Sequence, residues 1–211
     1  MLFRSLKYLH LPKFLERRVS KRLWKDSGLV LAKYDHVTTP TKRAAELLEN
    51  AAGIKNVLAI SCGIDATKFT NPTRTSNQPF RILFLGRLDW EKHIHNLLKA
   101  AATFPKEIDF YIEIAGEGNQ KKYLGDLASK LGIAERVTFL GHISEEELPK
   151  AYERATVFAM PSIAELQSIA TMEAMASGRP VVAANAMALP HLVHPRSEEH
   201  TSELQSRGLI S

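Results

Sequence analysis

The stretch Pro161 to Ala184, PSIAELQSIATMEAMASGRPVVAA, reads as a loop, a helix and a short strand in succession. Ser168 stands where a helix N-cap belongs, Ile169, Met172 and Ala176 suit a buried stripe, and Gly178 follows as the stop. Two carboxylates flank the helix start, Glu165 on the loop and Glu173 about one turn inside. Both can face a ligand at the helix N-terminus, where open backbone N–H groups and the helix dipole favour a phosphate. Carboxylates do not attract the phosphate itself. They accept hydrogen bonds from hydroxyls, so the ligand implied is a sugar nucleotide.

The same alternation recurs on the N-terminal side. Strands are expected at Phe80–Leu85, Ile108–Ala115, Arg136–Leu140, Thr156–Met160 and Pro180–Ala184. Helices are expected between them at Glu91–Ala102, Gln120–Leu131, Ser144–Arg154 and Ser168–Ser177. This order predicts an α/β fold, a Rossmann-like parallel sheet with helices on both faces, and such sheets bind ligands at their C-terminal strand edges. Further upstream, Asp35–Thr39 reads as a strand and Thr39 as a cap with Pro40 at the first helical position. That helix runs to about Ala52, where Gly53 ends it, and Asn56–Ser61 is the next strand. Thr70–Pro79, TNPTRTSNQP, has the composition of a linker.

Four segments are expected from this pattern: residues 1–65, a linker at 66–79, a sheet domain at 80–195, and a tail at 196–211. The tail begins RSEEHTSELQS (Arg196–Ser206), with one apolar residue in eleven. That string resembles the in-frame translation of a short-read sequencing adapter. Residues 196–211 are therefore expected to be a sequencing artefact or a disordered tail, and the domain to be cut before its end.

An apolar content of 45% with 24% charged residues suits a water-soluble globular chain, and no apolar run approaches the roughly 20 residues that span a bilayer. The single Cys62 excludes an internal disulfide framework and fits a reducing compartment, and the N-terminus has no signal-peptide pattern. The expected location is the cytoplasm. Eight basic side chains against Glu16 give residues 1–25 a charge of +7, so the rest must carry −2 to reach the net +5. Leucines, Phe14, Val19 and Trp24 are interleaved with them. Two readings stand: a solvated helix packing its apolar stripe on a domain, or a segment lying on an anionic membrane surface. Nucleic-acid binding is not expected, since no recognition motif accompanies the charge.

Gly86-Arg87-Leu88-Asp89-Trp90-Glu91-Lys92 follows the first strand after the linker. Arg87 offers a planar fork to phosphate oxygens, Lys92 adds a point charge, and Gly86 lets backbone approach. Gly116-Glu117-Gly118 is not a dinucleotide fingerprint, because Lys121 replaces the third glycine and no acidic residue ends the next strand. His93 and His95, two apart on an expected helix, should point away from each other and hold no metal. Trp24 and Trp90 read as packing residues.

Together these pieces resemble the retaining GT-B glycosyltransferases of family 4. The matching segments are Cys62-Gly63-Ile64-Asp65 with Phe69, FLGRLDWEK (Phe84–Lys92), IAGEGNQKKYL (Ile114–Leu124), RVTFLGHIS (Arg136–Ser144) and the EX7E-type ELQSIATME (Glu165–Glu173). They stand in the family's order and spacing, over about Tyr34 to Val193. ELQSIA and the upstream TTPTKRAAELL (Thr38–Leu48) are most similar to the branch that glycosylates lipids such as diacylglycerol.

The resemblance implies a C-terminal, donor-binding half of a GT-B fold, preceded by the last part of the acceptor-side domain. It implies that Gly86, Arg87 and Lys92 bind the donor diphosphate and stabilise the leaving nucleotide. Glu165 would hold donor-sugar hydroxyls, Glu173 the ribose, and Leu166, Gln167 and Ser168 would present backbone N–H groups. Ile143 would meet the nucleobase through its backbone. UDP is the favoured nucleotide, the acceptor a membrane lipid or a glycan, and no metal or other cofactor is implied. The catalytic residue on the acceptor side, and hence turnover, would lie outside this chain. Four positions depart from the family pattern: Ser168, Leu166 and His93 stand where Gly is frequent, and Cys62 replaces an Asn. A UDP-sugar epimerase on the same fold and a non-catalytic nucleotide- or membrane-binding module remain alternatives.

Overall fold

Two six-residue strands, each apolar but for one charged residue, β3 (Phe80–Leu85) and β4 (Phe110–Ala115), pair in parallel along their whole length, from Phe80 opposite Phe110 to Leu85 opposite Ala115. The structure, a computed structural model, describes residues 12–69 and 79–193. Most of the expected linker and the whole expected tail lie outside the described residues. The chain divides into two units, Met1–Cys62 and Gly63–Ser211, each carrying its own sheet.

In the first unit, α1 (Lys13–Leu31) precedes β1 (Val37–Thr39), α2 (Lys42–Ala52) and β2 (Val57–Ala59), with β1 and β2 parallel. Thr41, not Thr39, caps α2: its hydroxyl accepts from the Ala44 amide, and Pro40 lies ahead of the helix rather than in it. Gly53 closes the helix in the left-handed conformation as expected. On α1, Phe14, Arg18, Lys21, Lys25 and Leu29 recur at helical spacing and are all exposed, as are Arg17 and Arg22. Val19, Leu23 and Trp24 are half-buried on the other side. Among the described residues no helix is long and apolar enough to cross a membrane.

The second unit continues through α3 (Ile94–Ala101), α4 (Lys121–Lys130), β5 (Val137–Gly141), α5 (Glu147–Arg154), β6 (Val157–Met160), α6 (Ile169–Ala176), β7 (Val181–Ala183) and α7 (Leu189–Leu192). Its five strands are all parallel in the order β5-β4-β3-β6-β7, with helices around them. The α/β parallel sheet is the one expected. Phe84, Leu98, Ile112, Ile114, Tyr152 and Phe158 form the fully buried core. Glu113 is a carboxylate within a central strand, and two guanidinium groups neutralise it: Arg81 at 3.0 Å and Arg154 at 2.8 Å.

Several local expectations fail for identifiable reasons. Residues 65–69 are not featureless, since the Asp65 carboxylate caps a 3-10 turn at Ala66–Lys68 by accepting from Thr67. The helix expected from Glu91 begins as a 3-10 turn at Trp90–Lys92 and restarts after His93, whose φ of 50° breaks it. The stripe expected on α6 holds only in part: Ile169 is 46% exposed, Met172 and Ala176 are half-buried, and Thr171 and Ala174 are the residues that pack inward. Thr171 can be buried because its hydroxyl is hydrogen-bonded to that of Ser168, 2.7 Å away.

Candidate active site

In the strand order β5-β4-β3-β6-β7 the winding reverses between β3 and β6. The C-terminal ends of two strands at such a reversal are the place where open α/β sheets take ligands. The loop after β3 carries Gly86 to His93, and the loop after β6 carries Pro161 to Ser168. Every residue expected to bind donor, except Ile143 and Glu173, lies on one of these two loops.

The first loop is fixed from below by β4. The amide of Gly86 donates to Ala115, that of Leu88 to Glu117, and that of Gln120 to Leu88. Gly116 has a φ of 123°, and a Cβ on it would fall 2.0 Å from the Gly86 oxygen. At Gly118 a Cβ would fall 2.5 Å from the Leu88 oxygen. The Gly116-x-Gly118 pair is thus a seat for the Arg87 loop, a role that reading it only against a cofactor fingerprint missed.

The two loops are then joined to each other. The Glu91 carbonyl accepts from the Ile163 amide at 3.1 Å and the Ser162 hydroxyl at 3.4 Å. Lys92 and Glu165 form a hydrogen-bonded ion pair, with side chains 14% and 11% exposed. Arg87 is half-exposed and turns onto its own loop, 2.6 Å from Asp89 and 3.2 Å from Glu91. Its fork is therefore matched with carboxylates before any ligand arrives.

Ser168 does sit at the N-cap of α6, but its side chain makes no cap hydrogen bond. With a φ of 68° it turns its hydroxyl to Thr171, 2.7 Å away. The left-handed geometry explains why glycine suits this position, and the φ of 50° at His93 explains it there too. Gln167 is buried, with its amide 3.5 Å from the Met172 sulfur, whereas Leu166 is exposed beside it. Ile143 packs its side chain on the core from the loop after β5.

Glu173 is held from α5. The Tyr152 hydroxyl lies 2.9 Å from its carboxylate and 3.0 Å from the Ala170 carbonyl. Burial, then the charge and hydrogen bond of Glu173, push the Tyr152 ionisation far above the usual tyrosine range. Sequence reading passed over Tyr152, although a tyrosine on the inner face of a helix needs a partner for its hydroxyl.

His93 and His95 do not point apart. Their ring centroids are 5.1 Å apart, because His93 precedes the helix in a left-handed turn. Trp90 is half-exposed rather than packed away, stacking on His95 at 4.9 Å and 16° and lying 5.5 Å from Tyr123. Burial, then His93 and Lys99, hold His95 below the usual histidine range. Among the described residues no three His, Cys, Asp or Glu side chains group as metal ligands.

The sequence profile of the glycosyl transferases group 1 family matches residues 65–200. The chain belongs to that family. An uncharacterized glycosyltransferase of Methanocaldococcus jannaschii is 38% identical to this group 1 member over 112 residues, 53% of this chain and 29% of that protein. Sucrose-phosphate synthase from Thermosynechococcus elongatus superposes with a TM-score of 0.74 at 25% identity, over 90% of this chain and 50% of that one. HepE of Anabaena, solved in complex with UDP-glucose, superposes with a TM-score of 0.72 at 24% identity, over 83% and 52%, a likeness of fold. The group 1 chain spans about a third of the length of the curated relatives it matches.

Proposed function

We propose that this chain forms the donor site of a retaining glycosyltransferase that uses a UDP-sugar. The observation that carries the reading is the Lys92–Glu165 pair, which sets a cation and a hydroxyl acceptor together at the switch point of the sheet. Lys92 and Arg87 neutralise the diphosphate as the sugar leaves, with Gly86 admitting it and the amides of Leu166, Gln167 and Ser168 beside it. Glu165 accepts from donor-sugar hydroxyls and Glu173 from the ribose, while the Ile143 backbone meets the base. These cationic side chains take the place of a metal. Retention follows from front-face attack, in which the leaving phosphate helps to deprotonate the acceptor hydroxyl.

In this reading residues 80–195 are the donor domain, 66–79 a linker and 1–65 the end of an acceptor-side domain. The acceptor is held by residues beyond this chain, which does not turn over alone. A diacylglycerol-type lipid suits the exposed basic side chains and Phe14 of α1, which would rest on the inner membrane face. Vesicle sedimentation at low and high salt tests that contact, since ionic attachment must weaken as ions screen it. For the donor site, Glu173→Ala in a protein of the relatives' full length should raise the donor KM or abolish transfer. Unchanged kinetics would refute the assignment.

A further inference from the structure

We infer that Tyr152 is a positioning residue for the donor site, its hydroxyl setting the Glu173 carboxylate and the first turn of α6 to receive the ribose. The inference rests on the reading of Glu173 as the ribose-binding group. Tyr152 lies on α5, where it and Ala151 are the buried residues, and it is fully buried. Phe69 meets its ring edge-on at 5.7 Å and Phe158 lies at 5.8 Å. A phenylalanine would satisfy that packing equally well. The hydroxyl is what packing does not explain, because burying it is costly unless it is bonded.

Its one proton faces two acceptors, Glu173 Oε2 at 2.9 Å and the Ala170 carbonyl at 3.0 Å. Ala170 belongs to the first turn of α6 and Glu173 to the next, so one immobile group registers both. A glutamate on a helix surface otherwise samples several rotamers. With Oε2 engaged by Tyr152, Oε1 is the oxygen through which Glu173 would take the ribose in this reading. Because the phenol stays protonated through the neutral range, it remains a donor whenever the site works.

Calorimetric titration of the full chain with UDP and with 2′,3′-dideoxy-UDP separates the possibilities. Tyr152→Phe should weaken UDP by roughly tenfold, the order expected for a hydrogen bond to a charged group, and leave the dideoxy nucleotide within about twofold. Equal weakening of both nucleotides would mean a merely structural role and overturn the inference. The double variant Tyr152→Phe/Glu173→Gln should bind UDP no worse than Glu173→Gln alone, which holds even if Tyr152→Phe lowers stability. If Glu173→Gln leaves the preference for UDP over its dideoxy form unchanged, the ribose reading fails and the inference falls with it. If Glu173→Gln removes that preference and Tyr152→Phe does not, the inference alone fails.

Discussion

Lys92 and Glu165, 73 residues apart in the chain, form an ion pair that ties the turn after β3 to the loop after β6. Side chains so little exposed interact with weak solvent screening, and neither charge is tolerable there alone. Replacing one partner, as in Lys92→Met or Glu165→Met, should cost about 3 kcal/mol or more, while replacing both should cost less than the sum. Urea denaturation of the two single variants and the double tests this. Simple additivity would show that the two charges do not depend on each other.

Two glycine substitutions, one in the seat under the Arg87 loop and one in α4, should have opposite signs. Gly116→Ala drives a methyl into the Gly86 carbonyl at a left-handed position and should cost about 3 kcal/mol. Gly125, within α4, has nothing within 4 Å of an added Cβ. Gly125→Ala should therefore stabilise the fold by about 0.5–1 kcal/mol through helix propensity. Thermal melting of the two variants reads both signs.

How far the site can be read from sequence depends on whether its parts are local. Phe80–Leu85 is found to the residue, because a central strand leaves a nearly continuous apolar run, interrupted only by Arg81 and bounded by linker chemistry and Gly86. The loops with Arg87, Lys92 and Glu165 are legible as positions after strands, since alternation of strand and helix places all strand ends on one edge. What was hidden is who meets whom. The strand order β5-β4-β3-β6-β7 puts Lys92 against Glu165, and no spacing in the chain encodes that neighbourhood. Part of the α6 stripe was misread, because helical period alone cannot tell which side of eight mostly apolar residues faces a sheet, and Thr171 and Ala174 are the ones buried. The break at His93 is silent in the sequence, because a left-handed turn has no signature in a histidine.

Tyr152 should make the fold sensitive to alkali. Its ionisation is raised in the folded state above the ordinary value of 10.0, so the folded chain keeps a proton that the unfolded chain releases. Stability from this group is complete below pH 10 and falls as pH rises above it, by about 1.4 kcal/mol per pH unit. Tyr152→Phe should remove that one-proton slope. An unchanged slope in denaturation between pH 9.5 and 11 would argue that the phenol ionises freely.

The stack of Trp90 on His95 offers an optical readout of the turn beside Lys92. Because burial and neighbouring His93 and Lys99 disfavour the imidazolium, His95 should gain its proton only below pH 6.5. Tryptophan emission should change with a midpoint below that value, and Trp90→Phe should abolish the transition while Trp24 still emits. A transition that survives Trp90→Phe would place its origin elsewhere.

Binding of UDP to this chain, measured by calorimetry with Lys92→Ala and Glu173→Ala in parallel, tests the donor-site claim most directly. Saturable one-to-one binding that each substitution weakens by about tenfold or more is the predicted result. Binding that neither substitution changes, or no binding of UDP at millimolar concentration, would contradict it.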